Sequence, residues 1–234
     1  MNKNIEKDAS KLIEYFKKYE LESTFTNSEF VEEYRKIHKK SLGYLVLFSE
    51  IEKQNTKKKI LEEKSMLYFK ESVSDVLQSV FVWVNGAYKA ADLLLRSSIE
   101  NFNKAIIGNT NSDVYIEKSV YKIFEMAGQM KEFQVKIGND YLNIVLHRIY
   151  TELCKATHTS TTDNMDFVMA LKVLPKFEKK RTEEFRKKIE ILIDGYLGFF
   201  LANYGNAVEK MYRENADIFY EVLSKNIIRS VVNN

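Results

Sequence analysis

The sequence predicts an all-α protein, an antiparallel helical bundle of seven to eight helices. Three observations predict it. Proline occurs once, at Pro175, and glycine only eight times in 234 residues, so turn-rich sandwiches and barrels are disfavoured. Apolar residues recur at helical spacing through most of the chain. Hydrophobic residues make up 45% and charged residues 29%, which is globular composition with enough apolar material for a sizeable core. The length suits one helical domain spanning 1–234.

The elements follow in order. Ile5, Leu12, Ile13 and Phe16 mark a first amphipathic helix over about Ile5 to Glu20. "TFTNSEF" breaks it, and Thr26 three residues before Glu29 forms a capping-box pattern that starts a second helix near Asn27. A polar stretch at Gln54 to Thr56 interrupts that helix. From Lys57 to Ile107 the pattern is helical, with "VNGAY" (Val84 to Tyr88) as its break. Gly108 is placed as a C-terminal cap before the loop "GNTNSDVY". A helix is expected over Ile116 to Met130, and "KEFQVKIGND" reads as irregular or briefly extended. Asn139 or Asp140 then caps a helix over Tyr141 to His158. After "TSTTDNM" and a turn to Pro175 come a long helix over Phe177 to Tyr212 and a last one over Asn215 to Val231.

The net charge of +3 does not by itself point to nucleic acid. The positive charge is clustered at Lys36 to Lys40, at Lys57-Lys58-Lys59 and between Lys176 and Lys188, and solvated helix faces account for such runs. A single cysteine excludes an internal disulfide framework and fits a reducing cytoplasm. The N-terminus has no apolar segment of the signal-peptide kind, and the run Ile191 to Gly205, interrupted by Asp194, is too short to span a bilayer. No membrane association is expected.

Two helices carry the residues that could do chemistry. In "YTELCKATHTST" and the turns before it, Leu142, Val145, Ile149, Leu153 and Ala156 form an apolar stripe. His147, Thr151, Cys154 and His158 form a second stripe where a solvent face would hold Lys and Glu. Cys154 and His158 have ligand-compatible spacing, but a zinc site needs three or four ligands and no second cluster is present, so no metal or other cofactor is expected. A Cys–His nucleophile pair needs an activated thiolate, and nothing in the sequence indicates one. In "AYKAADLLLRSSIENFNKAIIG", Ala91, Leu94, Leu95, Ser98, Phe102 and Ala105 give a packing face. Asp92, Arg96, Glu100 and Asn103 fall on another. A surface salt-bridge ladder explains that second face. So does a cleft shared with His158, where a planar, permanently charged guanidinium meets phosphate and an imidazole exchanges protons.

"LLLRSSIENFNKAI", followed some fifty residues later by "YTELCKATHTS", resembles the HEPN superfamily and its HEPN-like bacterial relatives. In these, an "LLR-x-x-x-E" helix precedes an "L-x-x-x-x-H-x-S" helix end. The resemblance covers about 72–166 and leaves both ends of the chain as helical additions. It implies a helical bundle core, frequent dimerisation and, in many members, RNA cleavage in toxin–antitoxin, phage-defence or CRISPR settings. Active members carry an Arg four to six residues before the His. Here "TELCKAT" precedes His158, Lys155 stands near that place, and Arg148 is too far upstream. Either Arg96 or Lys155 supplies the charge, or the domain has no nuclease activity.

The resulting expectation is a cytoplasmic, homodimeric HEPN-like protein that binds RNA or a nucleotide. If it is a metal-independent endoribonuclease, His158 is the acid/base, Arg96 the phosphate contact and Glu100 the residue orienting Arg96, with Lys155, Thr159 and Ser160 contacting substrate. The rival expectation is a non-enzymatic helical domain that binds a protein partner through the His/Thr/Cys face.

Overall fold

The computed structural model describes residues 3–157 and 165–232. The protein is all-α, 79% helical, with no strand among the described residues. α1 (Lys3–Lys17) and the short α2 (Glu22–Phe25) lead into three long helices: α3 (Ser28–Asn55), α4 (Glu63–Val84) and α5 (Tyr88–Ile107). A 3-10 turn (Ser112–Tyr115) precedes α6 (Val120–Gln129), α7 (Lys131–Gln134) and α8 (Lys136–Tyr141). α8 continues without a break through a π-helical segment (Leu142–Ile149) into α9 (Tyr150–Thr157). After a 3-10 turn at Leu171–Val173 come α10 (Lys179–Asn203), α11 (Gly205–Val208), α12 (Arg213–Val222) and α13 (Lys225–Val232).

Local chemistry explains most boundaries. Asn27, rather than the Thr26–Glu29 box, caps α3, its side chain accepting from Phe30 N at 3.1 Å. Ser119 caps α6 in the same way and starts it later than Ile116. The expected irregular stretch "KEFQVKIGND" is two helical pieces joined by an extended Val135, and Asn139 and Asp140 lie inside a helix rather than capping one. The last expected helix is two, because Leu223 adopts an extended conformation between α12 and α13. Gly86 turns α4 into α5 with φ of 78°, a conformation that glycine adopts without strain. Gly108 ends α5 with right-handed geometry, and its requirement is steric: a Cβ there would stand 2.3 Å from the Tyr115 ring.

α4 and α5 form an antiparallel hairpin along small residues. Ser65, Ser72 and Ser79 recur every seventh residue on α4, and Ala91, Ser98 and Ala105 do so on α5, all fully buried. At the centre the two backbones come close enough for Ser72 Oγ to reach Ser98 O (2.9 Å) and Ser98 Oγ to reach Ser72 O (3.0 Å). α3 also runs antiparallel to α4, with Phe30 stacked on Trp83 near one end and Phe48 edge-on to Phe69 towards the other. α10 runs in the same direction as α3 and α5: Arg186 pairs with Glu33 and Lys40 with Asp194, while Asp92 meets Lys188 and Ser98 meets Tyr196. The aromatic core is concentrated around α10, where Phe102 stacks on Tyr196 with centroids 4.1 Å apart and Trp83 on Phe185 at 5.5 Å.

α1 differs from this. Tyr15 Oη bonds Leu171 O and Leu174 O, and Tyr19 Oη bonds Asn85 Oδ1, so hydroxyls anchor the helix. Ile13 and Phe16 of its expected apolar face remain more than half exposed.

Candidate functional site

The site begins with which face α5 turns to α9. The Asn103–Glu100–Arg96 face meets the helix running from Lys136 to Thr157, antiparallel to α5. Asn103 Nδ2 donates to Tyr141 Oη at 3.0 Å. Two turns further along the partner helix, Tyr150 Oη donates to Glu100 Oε1 at 2.6 Å and accepts from Arg96 Nε at 2.9 Å. Arg96 Nε also lies 3.2 Å from Glu100 Oε1, and the guanidinium carbon sits 5.3 Å from the centre of the Tyr150 ring. A guanidinium, a carboxylate and a phenol thus close a three-membered cluster.

The π segment makes this possible. Tyr141 and Tyr150 are nine residues apart, which in a regular α-helix is about two and a half turns and puts them on opposite sides. Hydrogen bonds reaching five residues back, as from Tyr150 N to Val145 O, widen each turn so that nine residues make close to two turns. Both tyrosines therefore face α5. The same widening reshapes the expected stripes. Val145, Ile149 and Leu153 are buried as expected, but Tyr141, Leu146 and Tyr150 join them and Leu142 is only half-buried. His147 and Thr151 are exposed, Thr151 Oγ1 bonding back to His147 O at 2.6 Å, while Cys154 packs half-buried against the core. The second stripe is therefore not one continuous packing face.

Electrostatics favour the charged guanidinium. Partial burial is the largest single influence and opposes the Arg96 charge, but the Tyr150 hydrogen bond and phenol, Cys154 and Glu100 together outweigh it, and the pKa is raised. Tyr150 is pushed well above an ordinary phenol, first by burial and then by the Glu100 carboxylate. Asp75 of α4 stands nearby, accepting from Asn101 Nδ2 at 2.9 Å. Burial raises its pKa against the hydrogen bonds from Ser97 and Asn101, and Glu71 and Glu100 add to the rise. Asp92, the expected first member of the ladder, is buried and engaged with α10, with Lys188 Nζ at 2.8 Å.

No protein-family model, curated protein or solved structure matches this chain. What the cluster can do chemically therefore rests on its own geometry. Arg96 and Glu100 are the expected site residues brought together, with side chains 25% and 29% exposed. Lys155 lies on the next turns of the same helix as Tyr150, exposed and without an ion pair among the described residues. His158, Thr159 and Ser160 lie outside the described residues, and so does the expected juxtaposition of His158 with Arg96. Tyr150 was the residue that sequence reasoning missed, since it opens the quoted motif yet sits off the α-helical stripe. Among the described residues no three of His, Cys, Asp and Glu converge as a metal site would need, and no helix is long and apolar enough to cross a membrane.

Proposed function

We propose that the chain is an RNA-binding helical protein of the HEPN-like kind, with its phosphodiester contact at Arg96. The observation that carries this reading is the Arg96–Glu100–Tyr150 cluster: a permanently charged planar fork, fixed in direction by a carboxylate and a phenol, at a partly open seam between two helices. A seam suits an extended strand passing across it. Glu100 offsets part of the guanidinium charge, so net attraction for phosphate comes from Lys155 on the same helix as Tyr150. Cleavage extends the reading, with His158 as acid/base and Arg96 steadying the phosphate.

The test uses labelled single-stranded RNA in EDTA, followed by anisotropy and by gel. Wild type should bind, less tightly as salt rises. Arg96→Lys keeps the charge but loses the fork, and with Lys155→Gln it should weaken binding several-fold. His158→Ala should keep binding and lose any cleavage. Absence of both binding and cleavage in the wild type sinks the reading.

A second reading, a homodimeric protein-interaction module, is favoured by a different observation. Ile13 and Phe16 of α1 and Phe167 and Met169 before α10 are left exposed, Met169 at 89%. Light scattering at tens of micromolar, about the range that reveals a micromolar dimer, should give twice the chain mass; a strict monomer removes the dimer.

A further inference from the structure

A second polar concavity lies where α3 and α10 end. Because these helices run in parallel, their C-termini come together, and the loop after α3 and the short α11 fold over them. The loop is fixed: Asn55 Oδ1 accepts from Ile60 N (2.7 Å) and Leu61 N (2.9 Å), and Asn55 Nδ2 donates to Leu61 O (3.1 Å). Gln54 Nε2 holds α11 in place through Ala207 O at 2.9 Å. Between loop and helix is a concavity of about 470 Å³ lined by the exposed Lys57, Lys58, Lys59 and Lys210, with the half-buried Ile60 and Tyr204 as its apolar floor. The Tyr204 ring is packed against Phe200, with centroids 5.0 Å apart. Among the described residues no carboxylate lines the cavity.

The run Lys57-Lys58-Lys59 has an ordinary explanation, since lysines favour helix C-termini. The charge count decides how far that goes. Two helix ends supply about one unit of negative charge, roughly half a unit each. Glu62 pairs with Lys59 at 2.6 Å. Lys57, Lys58 and Lys210 have no acidic partner among the described residues, and Glu132, close enough to perturb the Tyr204 hydroxyl, makes no ion pair with the four lysines. About two positive charges remain uncompensated after the helix ends and Glu62 are counted. They come from segments about 150 residues apart that the fold brings to one concavity, with all four lysines exposed to solvent. A half-open concavity of this size suits a small molecule rather than a folded partner.

We propose that this cavity binds a small phosphate anion carrying two or more negative charges, of the pyrophosphate type, the lysines holding the phosphates and the Ile60–Tyr204 floor whatever is attached to them. The site lies roughly 20 Å from Arg96 as counted along the α5 axis to Asn109, which bonds Glu62 N, and does not depend on the RNA reading.

Calorimetric titration of the full chain at near-physiological salt tests this, with inorganic pyrophosphate, ATP and adenosine as probes. Pyrophosphate and ATP should bind and adenosine should not. The variant Lys57→Gln, Lys58→Gln, Lys210→Gln should weaken binding at least about tenfold. Lys179→Gln with Lys180→Gln, exposed lysines away from the cavity, should leave it unchanged. Equal affinity for pyrophosphate and ATP supports an inorganic ligand; tighter ATP supports a nucleotide. Absence of binding by both anions overturns the proposal, as does equal loss in the control variant or full binding by a triple variant with wild-type circular dichroism. An RNA oligomer that binds through the same three lysines when neither anion does also overturns it. Arg96→Lys should keep pyrophosphate binding, which separates failure here from failure of the RNA reading.

Discussion

On one side of α5, Ser98 sits in a dry network of hydroxyls; on the other, Arg96 and Glu100 form an ionic cluster at a half-open seam. The dry side links Tyr44, Ser72, Ser98 and Tyr196 through contacts of 2.8–3.1 Å, every member buried and none charged at neutral pH. Neutral hydroxyls can be buried fully because each both donates and accepts, so the network satisfies itself. The ionic side keeps part of its surface in water, which limits the desolvation cost and leaves the charges within reach of a ligand. One helix thus separates a specificity device in the core from a site at the rim.

The largest expected effect breaks the dry side. Ser98→Leu inserts bulk where two backbones meet and leaves the Ser72 and Tyr196 hydroxyls short of a partner, at a cost of about 4 kcal/mol. Thermal melting should show a fall of about 10 °C or more, and Ser98→Ala a smaller fall of the same sign. A Ser98→Leu variant as stable as wild type would mean that the α4–α5 contact is not close-packed.

Next comes the buried pair at the edge of the comparison. Lys188→Met leaves Asp92 buried without its cation and should cost about 3 kcal/mol at neutral pH. Asp92 already has a raised pKa, chiefly from burial, with Lys188 pulling it down. Removing Lys188 raises it further. A folded-state pKa above the unfolded one means that stability falls as pH rises from the ordinary carboxylate value through the folded value. The deficit of Lys188→Met should therefore be small near pH 4 and grow towards pH 7, as read from denaturant midpoints. A pH-independent deficit would place the loss in packing instead.

The smallest effect sharpens the ionic side. Tyr150→Phe removes two hydrogen bonds but leaves the direct Arg96–Glu100 pair, so partial solvent exposure holds the loss of stability to about 1 kcal/mol. RNA affinity should fall by more than stability does. Equal loss in both would make Tyr150 a packing residue.

Much of the fold was legible because local rules carried it. Few Pro and Gly residues, the polar break after α3 and the Asn-Gly turn between α4 and α5 all act within a few residues of chain. The kink at Leu223 and the two short helices in "KEFQVKIGND" were not legible, since packing rather than propensity sets them. Arg96 and Glu100 were readable as an i,i+4 pair, whereas their third partner comes from a helix whose period departs from 3.6. The lysines of the second cavity read as a solvated helix face until Lys210 is brought beside them by the fold.

The π segment also bears on how such a chain is compared with others. It holds two residues more than a regular helix needs to keep Tyr141 and Tyr150 on the same side. Seven residues at about 100° each make just under two turns, so a chain lacking two positions in 142–149 can present the same two phenols to the same groove. A two-residue deletion there is nearly silent in three dimensions, whereas an equal deletion within α5 turns the residues beyond it by about 200°. The distance in sequence between the Arg96 and Tyr150 motifs is therefore elastic by two, and a pattern written with fixed spacing passes over chains built on the same contacts.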